Sequence, residues 1–138
     1  LYGGRGYAVE ANEQIACIAM IETAEGIANA DDIMSTPGLN GVYIGPADLA
    51  LSLGLPAMGD QPQEEHLVVV KELLGKCKAH KIAAGIHTSS LEYAQKYLAL
   101  GFNFVTLGSE SGHMTKNAAR ELAAARGTAE AQRESTGY

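Results

Sequence analysis

Two acidic side chains, Glu22 and Asp48, stand where short apolar runs give way to helical patterns, and they carry most of the chemistry this sequence can offer. In Ile15-Ala16-Cys17-Ile18-Ala19-Met20-Ile21-Glu22 the side chains of an extended strand alternate, so Ala16, Ile18, Met20 and Glu22 share one face. A carboxylate closing such a run needs a counter-charge, a metal or a set of donors, because burying it alone is prohibitive. The alternative is that Glu22 helps to cap the following helix. In Gly41-Val42-Tyr43-Ile44-Gly45-Pro46-Ala47-Asp48-Leu49, Gly45 permits close approach of the backbone to a ligand. The Pro46–Asp48 segment presents free N–H groups at a helix start, which attract a carboxylate or phosphate. The helix dipole favours Asp48 in that first turn without any function. Together, two carboxylates at the ends of successive parallel strands, with no basic neighbour in either loop, suit a hard cation such as Mg²⁺ or Mn²⁺. No paired His accompanies them, which disfavours zinc. His87 closes a third run and is of a residue type that can shuttle protons, although packing or surface placement also accounts for it. Ser109 and Ser111 follow a fourth run, where anion binding and plain capping use the same residue types.

The elements that position these residues alternate. Candidate buried strands are 15–22, 41–45, 82–87 and 103–108, rich in Ile, Val, Tyr, Phe and small residues. Thr23 is placed to cap a helix over Ala24–Met34, and Pro46 opens a helix that runs through Leu53 to Gly54. Leu67, Val70, Leu74 and Cys77 form one stripe along Gln63–Lys81. Ser89 and Glu92 read as a capping box for a helix carrying Leu91, Ala94 and Leu98 and stopping at Gly101. Ser111 is the expected cap of Gly112–Arg126, and residues 127–138 read as a frayed, disordered tail. Four β-α repeats imply a parallel sheet with right-handed crossovers. In such folds functional groups gather where strands end and helices begin.

Composition bounds the rest. The chain has 138 residues, and its 46% hydrophobic and 19% charged content suits one α/β domain. The net charge of −6, with basic residues scattered, argues against a nucleic-acid partner, which needs clustered Lys and Arg. Cys17 and Cys77 are too few and too far apart for a disulfide framework or zinc knuckle, and both read as small buried hydrophobes in a reducing compartment. No apolar run approaches the roughly 18–20 residues that cross a bilayer, and no secretory leader is evident. These features predict a cytoplasmic protein with no membrane partner.

The segments Ile21-Glu22-Thr23-Ala24-Glu25-Gly26 and Pro37-Gly38-Leu39-Asn40-Gly41-Val42-Tyr43-Ile44-Gly45-Pro46-Ala47-Asp48-Leu49 resemble the HpcH/HpaI aldolase family, the metal-dependent (class II) aldolases of 2-keto acids related to the citrate lyase β subunit. Ala84-Gly85-Ile86-His87 and Gly101-Phe102-Asn103-Phe104-Val105-Thr106-Leu107-Gly108 are similar to that family's last two strands, so the resemblance covers about residues 5–125. The resemblance implies a (β/α)₈ TIM barrel, with Glu22 and Asp48 binding Mg²⁺, Mn²⁺ or Co²⁺ and Gly45, Ala47 and Asp48 holding the substrate carboxylate. The position of Met20 touches substrate and is often Gln in the family; Met cannot donate that hydrogen bond, so this departure bears on substrate range.

A barrel of this kind needs eight strands and about 250 residues. The chain matches the family's C-terminal half: 1–14 is expected as the loop entering the fifth strand, and 15–126 as the last four βα units. The family's catalytic His and transition-state Arg belong to the N-terminal half and have no counterpart here, so the chain reads as a fragment. A half barrel would expose strand edges and the barrel-facing side chains Ile18, Met20 and Val42 or its neighbours, and a homo-oligomer is expected to cover them. For the intact protein the resemblance implies reversible cleavage of a 4-hydroxy-2-oxo acid to pyruvate and an aldehyde. No lysine ends a strand, which argues against Schiff-base chemistry. The alternatives are a citryl- or malyl-CoA-type lyase, or a non-catalytic barrel fragment serving as an oligomerisation module.

Overall fold

The structure is a computed structural model that describes residues 6–127. Four parallel strands, β1 (Ile18–Ile21), β2 (Gly41–Ile44), β3 (Ala83–Thr88) and β4 (Phe104–Leu107), lie side by side in sequence order. The helices are α1 (Tyr7–Gln14) before the sheet, α2 (Ala24–Ala28) and α3 (Ala30–Met34) after β1, α4 (Pro46–Ser52) and α5 (Glu64–His80) after β2, α6 (Leu91–Leu100) after β3, and α7 (Glu110–Ala125) after β4. The expected β-α order is therefore present four times. The expected tail lies outside the described residues except for Gly127. Among the described residues no helix is long and apolar enough to cross a membrane.

The core occupies one face of the sheet. Ile21, Val42, Ile44, Ala84 and Ile86 point into it and meet Met34, Leu49, Val70, Leu73, Leu74, Cys77 and Tyr97 from the helices. Val42 is thus fully buried on the helix side, and of the expected alternatives, Val42 or its neighbours, it is Tyr43 that takes the uncovered face. The register decides this: Val42 pairs with Ala19, whereas the uncovered row runs Met20–Tyr43–Gly85–Phe104. On that face Ile18 and Met20 remain 44% and 57% exposed on the edge strand, as expected for a sheet lacking a cover. Tyr43 and Phe104 stack with centroids 5.8 Å apart, and a Cβ on Gly85 would overlap the Phe104 ring.

Several local expectations need correction. Tyr7–Gln14 is helical, not an entry loop; it buries nothing and shows no apolar stripe, so its helix rests on Ala, Glu and Gln propensity and the Gln14–Glu10 hydrogen bond at 2.9 Å. β1 starts at Ile18, not residue 15, in register with Gly41, where β2 starts; just ahead of that pair the Cys17 N–H donates to the Asn40 side chain at 2.7 Å. Cys17 is exposed at this strand end, whereas Cys77 is buried and its thiol is pushed up to about 11 by burial. The expected helix after Thr23 breaks at Asn29, whose side-chain amide donates to the Glu25 carbonyl at 2.9 Å. Ser90, not Ser89, caps α6, since the Ser89 N–H is held by Asp60 at 2.8 Å. Ser109, not Ser111, caps α7 by accepting from the Gly112 N–H at 3.1 Å. Thr23 caps α2 as expected, and Gly101 ends α6 in the left-handed region at φ +105°.

One buried group ties α5 to the strand-end loops. His66 is fully buried, with Nε2 3.1 Å from the Pro46 carbonyl and no partner for Nδ1. Burial lowers its pKa below the usual histidine value; the Pro46 contact opposes this, and Lys96 adds to it. The unfolded chain therefore takes up a proton as pH falls through about 6.5 while the folded chain resists. Stability is expected to fall between pH 7 and 5 by at most about 1.4 kcal/mol per pH unit from this group. Chemical denaturation of His66→Gln, which keeps an amide donor for Pro46, is expected to show a flatter profile. Parallel profiles would assign the acid sensitivity elsewhere.

Candidate metal centre

The ends of β1 and β2 build the site. Glu22 is the first residue past β1, and Thr23 takes the capping role of α2, so the Glu22 carboxylate is not used as the cap. Gly45 follows β2 as the cap residue of α4, with Pro46 opening the helix and Asp48 in its first turn. The first backbone donor used by that helix is the Leu49 N–H, to the Gly45 carbonyl at 2.9 Å. The amides of Ala47 and Asp48 stand ahead of that ladder.

Glu22, Asp48, Met20, Gly45 and Ala47 line one cavity of about 210 Å³, with Pro46 and Gly59 completing its floor and rim. All five positions singled out from the sequence are therefore brought together. The Glu22 side chain lies over Gly45 so closely that a Cβ there would overlap its Oε2. Glycine is thus the residue that lets the Glu22 carboxylate sit beside the start of α4. Glu22 is half-buried and Asp48 is exposed. Among the described residues no Lys or Arg lines the cavity, so none of them offsets the two carboxylates there.

That donor set fits a hard divalent cation. Carboxylate oxygens are its preferred ligands, and such a cation keeps several positions for water and substrate oxygens. Among the described residues no group of three or more His, Cys, Asp or Glu is placed to hold a metal. The two acidic side chains that line the cavity, Glu22 and Asp48, make an open arrangement and not a closed cage.

His87 also lines the cavity, joined by Tyr43, which the sequence reading passed over. Thr106 supports them from β4: its Oγ1 lies 2.7 Å from His87 Nδ1 and 2.8 Å from the Tyr43 hydroxyl. The available signal was parity, since Tyr43 stands two residues before Gly45 on the same strand face. Ser109 and Ser111 are not among the lining residues; Ser109 serves as a cap, and its hydroxyl lies 3.2 Å from that of Ser111.

Comparison with known proteins supplies the family. The HpcH/HpaI aldolase/citrate lyase family matches residues 2–117. The chain is 37% identical over 123 residues to a hydroxypyruvate/pyruvate aldolase of Rhizorhabdus wittichii, covering 89% of this chain and 49% of that protein. It superposes with a TM-score of 0.78 on an HpcH/HpaI aldolase/citrate lyase family protein from Burkholderia cenocepacia, at 30% identity over 88% of this chain and 47% of that one. The fold is also shared, with a TM-score of 0.55 and 24% identity, with a citrate lyase β subunit from M. tuberculosis complexed with oxaloacetate and magnesium; there 67% of this chain and 47% of that one are covered. The chain spans about half the length of the relatives it matches. Its match from residue 2 to 117 places it plainly: the chain belongs to the HpcH/HpaI aldolase/citrate lyase family.

Proposed function

We propose that this chain is the C-terminal half of a (β/α)₈ aldolase that reversibly cleaves a 4-hydroxy-2-oxo acid to pyruvate and an aldehyde. The observation that carries this reading is that Glu22 and Asp48 line one cavity, with Gly45 beneath the Glu22 carboxylate and no Lys or Arg among the described residues that line it. Glu22 and Asp48 would hold Mg²⁺, Mn²⁺ or Co²⁺, in line with the magnesium in the citrate lyase β relative. When bound, such a cation polarises a keto oxygen and stabilises the developing enolate charge. The Ala47 and Asp48 amides at the start of α4 orient the substrate carboxylate. Met20 supplies an apolar wall where a donor side chain would read a polar group. The acid–base His and the Arg implied by the family resemblance belong to the other half of the barrel. That half, or a second copy, covers the row carrying Met20 and Tyr43.

The test is pyruvate-dependent aldol turnover by the intact protein, with and without a chelator. Turnover is expected to vanish with the chelator and return on adding Mg²⁺, Mn²⁺ or Co²⁺. Chelator-insensitive turnover, or turnover that demands an acyl-CoA, would overturn this assignment.

A further inference from the structure

Helix α4 carries Asp48 in its first turn and Ser52 as its last residue. The two stand four residues apart, so their side chains share one face of the helix, one turn from each other. The Ser52 hydroxyl accepts from the Ala24 N–H at 2.5 Å. Ala24 opens α2, two residues past Glu22. The face of α4 that carries Asp48 is therefore fastened to the turn that carries Glu22. The helix is also held at its other end, where His66 Nε2 lies 3.1 Å from the Pro46 carbonyl. Pro46 opens α4 and Ser52 closes it, so Asp48 stands between two points of attachment.

Local stability does not call for the Ser52–Ala24 hydrogen bond. Thr23 already caps α2, accepting from the Gly26 N–H at 3.0 Å. Ala24 and Ser52 are both exposed, so water can serve the Ala24 amide once the hydroxyl is gone. The end of α4 closes without the Ser52 side chain, through hydrogen bonds from the Leu53 N–H to the Leu49 and Ala50 carbonyls. What water cannot replace is the tether between the two strand-end turns.

We infer that Ser52 is a positioning residue of the metal centre, fixing the Glu22 turn against the helix of Asp48 through the Ala24 amide. This rests on the reading of Glu22 and Asp48 as metal ligands. A cation held by two carboxylates from separate elements is sensitive to their relative placement, and Ser52 acts on that placement alone.

The experiment measures Mn²⁺ affinity of the intact protein by calorimetry, beside the thermal midpoint of each metal-free variant. Ser52→Val removes the acceptor, and Ser52→Thr, of the same shape, keeps it. Ser52→Val is expected to weaken Mn²⁺ binding about tenfold, and Ser52→Thr to stay within about twofold of the parent. Ala24→Pro removes the donor from the other side. Proline suits the first helical position, and Thr23 before it already has the extended backbone, φ −130° and ψ 156°, that proline demands. This variant is expected to match Ser52→Val, and the double variant to be no worse than either. Metal-free midpoints are expected to stay close to the parent's throughout. Equal affinity in Ser52→Val and Ser52→Thr, additive losses in the double variant, or a lowered metal-free midpoint with affinity unchanged would overturn the inference alone. Failure of the parent to bind Mn²⁺ would overturn the metal reading and this inference with it.

Discussion

Glu22→Gln is expected to abolish metal-dependent turnover, by about a thousandfold or more, while leaving the fold intact. Both parts follow from its surroundings. The carboxylate shares a cavity with Asp48 and, among the described residues, with no Lys or Arg, so its charge is open to a cation and not taken up by an ion pair with them. The amide of Gln has nearly the same shape but no charge and only one acceptor oxygen, so it fills the space over Gly45 and loses the ligand. Without a cation, neutralising one of two neighbouring carboxylates removes repulsion. The thermal midpoint of the metal-free protein is therefore expected to stay the same or rise slightly. The measurement is Mn²⁺ titration by calorimetry, beside thermal melts with and without Mn²⁺. The parent is expected to gain stability from the metal by mass action and the variant to gain none. Full activity, or an undiminished metal-induced rise in midpoint, would remove Glu22 from the metal centre.

The parts of this structure that were legible in the sequence are those set by local chemistry. Short apolar runs ending at Glu22, Gly45 and His87 read as parallel strands because a sheet interior needs side chains apolar on the helix side, and Ile21, Ile44 and Ile86 supply them. Glu22 was visible because an acidic residue just past a strand is a conspicuous departure from that pattern, and Asp48 because it stands in the first turn of the helix that follows β2. What escaped depended on pairing across strands or on competition between neighbours. The Tyr43–Thr106–His87 cluster exists only once β2, β3 and β4 are in register, and nothing in the spacing of 43, 87 and 106 specifies that register. The choice between Val42 and its neighbours stayed open for the same reason, since a shift of one residue exchanges the two faces. Ser89 lost its expected capping role because Asp60, distant in sequence, holds its N–H, and Ser90 takes the extended backbone a cap requires. The helix Tyr7–Gln14 has no apolar stripe, so a reading based on periodicity had no purchase on it.

Gly45→Ala is expected to lower metal affinity about 10- to 100-fold without unfolding the protein. The backbone does not require glycine here: Gly45 has φ −89° and ψ 97°, an extended conformation open to alanine. The added methyl meets the Glu22 Oε2, the far end of a flexible side chain that can move aside. Stability is therefore expected to hold, or rise by about 0.4–1 kcal/mol from the reduced freedom of the unfolded chain, while the carboxylate is pushed off the start of α4. Gly85→Ala provides the contrast. Its methyl would meet the Phe104 ring, which is pinned against Tyr43, so that substitution is expected to cost stability. A double-mutant cycle isolates the cause. If Gly45 acts by seating Glu22, then Gly45→Ala adds nothing to the metal-binding loss already present in Glu22→Gln. Additive losses would mean that Gly45 serves the site by another route, such as direct approach of its backbone to the ligand, and an unchanged affinity in the single variant would show that the Glu22 carboxylate binds metal from some other position.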